Sequence, residues 1–70
     1  QRANLKRANL HRSDLEHADL SRADLSQANL SGAKLSDANF SNTILSDADL
    51  SGADTTDTNF SDAKGLKKKN

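Results

Sequence analysis

Residues 18–31 read ADLSRADLSQANLS, a five-residue unit, Ala-Asp/Asn-Leu-Ser-x, repeated without interruption. The same register runs outward in both directions through almost all of the 70 residues. Counting in fives from Leu5 gives Leu5, Leu10, Leu15, Leu20, Leu25, Leu30, Leu35, Phe40, Leu45, Leu50, Thr55 and Phe60, large and apolar everywhere except Thr55. Two residues before each stands a small side chain, Ala in most units and Ser13, Thr43 or Thr58 in the others. Of the 23 apolar residues, 21 fall in these two registers; Ile44 and Leu66 do not. A repeat this regular is itself the signal for the fold.

The other registers are polar. Asn or Asp precedes most of the Leu residues, as at Asn4, Asp19, Asp24, Asn29 and Asp49, and Ser follows them from Ser21 onward, with Thr56 as the variant. The fifth register varies freely: Arg7, Arg12, His17, Gln27, Gly32, Asp37. A helix turns about 100° per residue, so a spacing of five would spiral the Leu residues around its axis. Asn, Asp, Ser and Gly are also poor helix formers. In a continuous strand an odd spacing would send successive Leu side chains to opposite faces. A short extended Ala-x-Leu piece followed by a Ser-x corner resolves both conflicts, and Ser, Asn, Asp and Gly are corner residues. The sequence therefore predicts a chain that turns once in every five residues, with Leu and Ala always inward. Phe40 and Phe60 lie twenty residues apart, as do Gly32 and Gly52, which favours four corners per circuit.

The A-[N/D]-L-S-x pattern over residues 1–63 resembles the pentapeptide-repeat family. The resemblance implies an all-β fold, a right-handed quadrilateral parallel β-helix (a pentapeptide-repeat solenoid) of about three coils. In that frame the core columns are Leu5/Leu25/Leu45, Leu10/Leu30/Leu50, Leu15/Leu35/Thr55 and Leu20/Phe40/Phe60. Thr55 is then expected to place a hydroxyl inside, and Thr43 and Thr58 to enlarge the Ala wall. The repeat region is expected over residues 1–63 and a basic C-terminal tail over 64–70, where Gly65 stands in the Leu register and Leu66 follows one place late. Leu66 is expected to fold over the last coil as a minimal lid. The N-terminal end carries no cap, and an open solenoid end exposes core and strand edges. The expectation is an excised piece of a longer protein, or an end covered by flanking sequence or by end-to-end self-association.

Composition removes several classes of function. With no Cys, a disulfide framework and a thiolate metal site are excluded. There is no apolar run of membrane-spanning length, and no targeting segment, so no membrane contact is expected and the compartment stays open, with the cytoplasm as default. No nucleophile elbow or phosphate loop is present, and a narrow interior filled by Leu and Phe leaves no room for a substrate, so no catalytic residue and no cofactor are assigned. His11 and His17 occupy different corner positions and read as solvated rather than as metal ligands. The Asn and Asp residues are expected to hydrogen-bond their own backbone, as they do in turns.

Charge is ordered along the chain although it sums to zero. Residues 1–25 hold five basic and four acidic residues, whereas 26–62 hold one basic and six acidic. Arg2, Arg7, Arg12 and Arg22 would ring the first coil and form the candidate interaction surface, together with Ile44, which points outward. The expected function is a non-catalytic protein–protein interaction or structural spacer module with a protein partner. Nucleic acid is not expected, because the Arg ring lacks interleaved aromatics and the later coils are acidic. The resemblance also supplies an alternative, a DNA-mimic inhibitor of a type II topoisomerase.

Overall fold

A computed structural model of the chain describes residues 3–66. Its building block is a β-turn. In each unit the N–H of the residue three positions on donates to the Leu carbonyl oxygen, as Ala8 does to Leu5 at 3.0 Å and Ala28 to Leu25 at 3.0 Å. The third residue of every turn has positive φ, from 55° at Asp57 to 68° at Gly32 and Gly52. That sign at that position is the type II signature. The register that looks free in chemistry is thus the most constrained in backbone. Arg7, Arg12, His17, Arg22 and Gln27 all hold a conformation normally reserved for Gly or Asn.

Successive circuits are joined twenty residues apart. Nine parallel bridges all have this offset, from Asn4–Asp24 to Ile44–Lys64. Every circuit therefore has four extended pieces, here called sides one to four, which begin in the first circuit at residues 3, 8, 13 and 18. Among the described residues there is no helix and no continuous strand, and each side contributes a single bridged residue. The coil expected from the sequence is present, but the corners come too often for a strand to grow longer than one bridge.

The hydrogen-bond accounting explains the polar register. In the unit 25–29, Leu25 N–H donates to the Ile44 carbonyl at 2.7 Å, Gln27 to Ser46 at 2.8 Å, Ala28 to Leu25 at 3.0 Å and Asn29 to Ala8 at 2.9 Å. The backbone satisfies four of the five donors. The fifth, Ser26 N–H, donates instead to Oδ1 of Asp24 at 3.1 Å. The same bond recurs from Lys6 to Asn4, Ser31 to Asn29, Ser51 to Asp49 and Ser61 to Asn59. Asn and Asp are needed here because a side-chain acceptor two residues back completes the set of backbone bonds.

The core lies in the middle circuit. Leu25, Leu30, Leu35 and Phe40 are fully buried, walled by Ala23, Ala28, Ala33 and Ala38. Leu5, Leu10, Leu15, Leu20, Leu50 and Phe60 pack against them half-buried, because among the described residues each has a circuit on one side only. The Phe40 and Phe60 rings stack with centroids 5.6 Å apart at 48°. Thr43 is fully buried and its hydroxyl donates to the Phe40 carbonyl at 2.8 Å, while the Thr58 hydroxyl donates to the Leu35 carbonyl at 2.7 Å. Both enlarged wall positions thus meet an acceptor.

Three expectations change. Thr55 keeps the inward register but is exposed, because no further chain among the described residues lies over side three. Leu66 is 36% exposed and forms no lid. What covers Leu45, the one fully buried central residue of the third circuit, is the returning chain just before Leu66. Lys64 N–H donates to the Thr43 carbonyl at 2.9 Å and Leu45 N–H to the Lys64 carbonyl at 2.7 Å. Lys64 therefore belongs to the ladder, and the tail begins later than the sequence suggested. The rest of that tail, residues 67–70, lies outside the described residues, as does Arg2.

Candidate functional site

The described structure measures 25 × 25 × 21 Å, so it is about as wide as it is long. With a filled interior, the surfaces available for function are the sides, the corners and the two ends.

The corners carry the expected charge gradient. Their columns run Arg7/Gln27/Asp47, Arg12/Gly32/Gly52, His17/Asp37/Asp57 and Arg22/Asn42/Asp62, basic in the first circuit and mostly acidic in the third. Arg7 Nε donates to Gln27 Oε1 at 2.9 Å, which steers its guanidinium along the corner. Gly32 leaves room for the Arg12 stem, since a Cβ there would stand 3.1 Å from Arg12 Cγ. Arg7, Arg12, His17 and Arg22 are exposed, and none forms an ion pair among the described residues. The structure brings these four together as the first-circuit ring, while Arg2 falls outside the described residues.

Ile44 sits apart from that ring, on side one, 38% exposed in a column of Asn4, Asp24 and Lys64. A depression of about 870 Å³ runs along this side, lined by Lys6, Arg22, Asp24, Ile44 and Lys64 among others. Lys6 Nζ lies 3.8 Å from Asp24 Oδ2, a loose exposed pair of little energetic weight. Sequence reasoning singled out Ile44 but missed its charged neighbours. An offset of twenty would have placed Lys64 beside it, had Lys64 not been read as tail.

The carboxylates of the polar register are committed to the backbone. The carboxyls of Asp19, Asp24, Asp49 and Asp54 are all held below the ordinary aspartate value. The main cause is the hydroxyl of the residue two on, Ser21, Ser26, Ser51 or Thr56, reinforced by that residue's N–H. A pKa lowered by folding contributes stability above the unfolded value, and the contribution disappears as pH falls through the folded values. The melting temperature should therefore be flat from neutrality down to about pH 4–5 and drop below that. Replacing all four with Asn should leave the fold intact, since Asn29 accepts the same two bonds from Ser31. The acid limb of a melting-temperature profile should become shallower; an unchanged limb would refute the assignment.

One Ser–His contact occurs among the described residues. His11 Nδ1 lies 2.7 Å from Ser31 Oγ and 2.9 Å from the Ser31 carbonyl oxygen. The carbonyl can only accept, and Ser31 Oγ donates its hydrogen to Asn29 Oδ1 at 2.6 Å. Nδ1 must therefore carry the proton, so it cannot serve as a base toward Ser31. His11 is better described as a hydrogen-bonded strut between circuits than as a solvated corner. Among the described residues, no group of three or more His, Asp or Glu is placed to hold a metal ion.

Comparison with protein families places the chain. Residues 3–42 and 43–65 match Pentapeptide repeats, in eight copies. The chain belongs to the pentapeptide-repeat family. Comparison with curated proteins and with solved structures gives no match. Pentapeptide-repeat proteins are generally structural or interaction modules rather than enzymes. No helix among the described residues is long and apolar enough to cross a membrane.

Proposed function

We propose that this chain is a non-catalytic protein–protein interaction or spacer module, built as a right-handed quadrilateral β-helix of about three coils. Its first-coil corners dock an acidic protein surface. The observation that carries this reading is the state of Arg7, Arg12 and Arg22: exposed, in positive-φ backbone and without ion pairs among the described residues. A long cationic side chain gains nothing for the turn that Gly or Asn would not supply at lower strain. Three guanidiniums on adjacent corners of one coil offer bidentate donors to carboxylates over a surface wide enough for a partner domain.

Immobilised polyglutamate serves as the test surface. The wild-type chain should be retained at low salt and released as salt rises. The triple variant Arg7→Glu/Arg12→Glu/Arg22→Glu should pass without retention while keeping the wild-type far-ultraviolet circular dichroism spectrum. Equal retention of the two chains would sink the proposal.

A further inference from the structure

Side one breaks the repeat rule at Ile44, and no acceptor among the described residues replaces the one lost there. The outward register elsewhere holds Asn or Asp, whose Oδ1 accepts the N–H two residues on. Ile44 has no acceptor, and Ser46 N–H finds no partner among the described residues. Of the other exceptions, Lys34 lies in a column between Asp14 and Asp54, an opposite-charge setting, and Lys64 is the neighbour of Ile44 in its own column. Ile44 stands between Asp24 and Lys64 with no apolar neighbour in its column, and it remains exposed. A residue that breaks a local rule without structural gain marks a functional position.

The surroundings say what would cover it. The depression around Ile44 is lined by three cations, Lys6, Arg22 and Lys64, against one carboxylate, Asp24. The residues following Leu66, Lys-Lys-Lys-Asn, carry the same sign as the groove, so charge complementarity points to an acidic occupant. A phosphate backbone would satisfy the cations but leave Ile44 uncovered. We propose that this groove docks an acidic segment of a partner protein, seating one aliphatic side chain on Ile44 and setting carboxylates against Lys6, Arg22 and Lys64. The site shares Arg22 with the one proposed above, but neither Arg7 nor Arg12 lines it.

The 70-residue chain is titrated against fluorescein-labelled Glu-Glu-Leu-Glu-Glu and read by anisotropy. Binding is expected, with loss for the Gln-Gln-Leu-Gln-Gln counterpart and a roughly tenfold weakening when Leu is replaced by Gly. Ile44→Asn restores the missing acceptor for Ser46 N–H, so it should weaken binding about tenfold while the melting temperature holds or rises. Lys64→Glu should abolish binding, and Asp57→Asn, on a third-circuit corner outside both surfaces, should leave it unchanged. Wild-type affinity in Ile44→Asn overturns the proposal, as does absence of binding by the wild type. Oligothymidylate binding as tightly as the peptide overturns it in favour of nucleic acid. A dimer in sedimentation that Ile44→Asn dissociates overturns it in favour of a second copy. Loss in Arg12→Glu with retention in Ile44→Asn refutes the groove while leaving the corner ring standing.

Discussion

Phe40→Ala is expected to cost about 3–5 kcal/mol, the usual range for a fully buried aromatic. Phe40 is completely buried at the centre of the column Leu20/Phe40/Phe60, with its ring against Phe60. The interior is a closed tube walled by backbone and Ala, so the walls cannot collapse into the space that a lost ring would leave. A domain of this length has a total stability of roughly 3.5–10 kcal/mol. The loss is therefore a large share of the whole, and the melting temperature should fall by about 12–40 °C. Two controls give the result its meaning. Phe40→Leu should cost under about 1.5 kcal/mol, because Leu fills the same register in the other three columns of the middle circuit. Phe60→Ala should cost less than Phe40→Ala, because Phe60 is only half-buried. Equal losses at the two Phe positions would show that position within the stack does not set stability, contrary to the nearest-neighbour behaviour expected of a repeat array.

The middle circuit was the most legible part of the fold, for a physical reason. Leu25, Leu30, Leu35 and Phe40 repeat in one register, and each has a neighbour of the same register twenty residues before and after. Local pattern and tertiary packing ask the same thing of those residues. Thr55 shows where this ends: its register points inward, but burial depends on chain stacked above it, which the pentapeptide itself does not encode. The corners show a second limit. Arg, His and Gln carry no mark of positive φ, and the left-handed conformation costs about 1–2 kcal/mol per residue. That cost is outweighed by bonds made elsewhere, such as Arg7 N–H to the Ser26 carbonyl at 2.9 Å and His17 N–H to the Ser36 carbonyl at 3.1 Å. The turn type was hidden because the interactions that enforce it lie a full circuit away. The candidate sites divide in the same manner. The Arg ring could be read directly from the fifth register, whereas the groove around Ile44 needed Lys64 to be placed on the ladder.

Gly65→Ala should detach the end of the repeat and cost a few kcal/mol. A Cβ at Gly65 would stand 2.7 Å from the N, Cα and Oγ atoms of Ser46, nearer than any methyl can approach, and φ is +79°. Two of those three atoms are within or bonded along the Ser46 backbone and cannot rotate away, so the chain at residues 64–66 must lift. Lifting loses the bonds from Lys64 N–H to Thr43 and from Leu45 N–H to Lys64. Each is worth about 0.5–1.5 kcal/mol. It also uncovers Leu45, whose burial contributes about 2 kcal/mol. Complete detachment sets the ceiling at about 5 kcal/mol, since beyond it the end frays and the middle circuit survives. Gly52→Ala isolates the steric part. Gly52 shares the positive φ, at +68°, but the nearest atom to its Cβ position is Gly32 N at 4.0 Å. Its substitution should therefore show the left-handed penalty of about 1–2 kcal/mol and little else. Hydrogen exchange separates the two outcomes by place as well as size. In Gly65→Ala the Leu45 amide should lose protection while the Leu25 and Leu30 amides keep theirs; in Gly52→Ala the Leu45 amide should stay protected. If Leu45 remains protected in Gly65→Ala, the returning chain at Lys64 is not what closes side one.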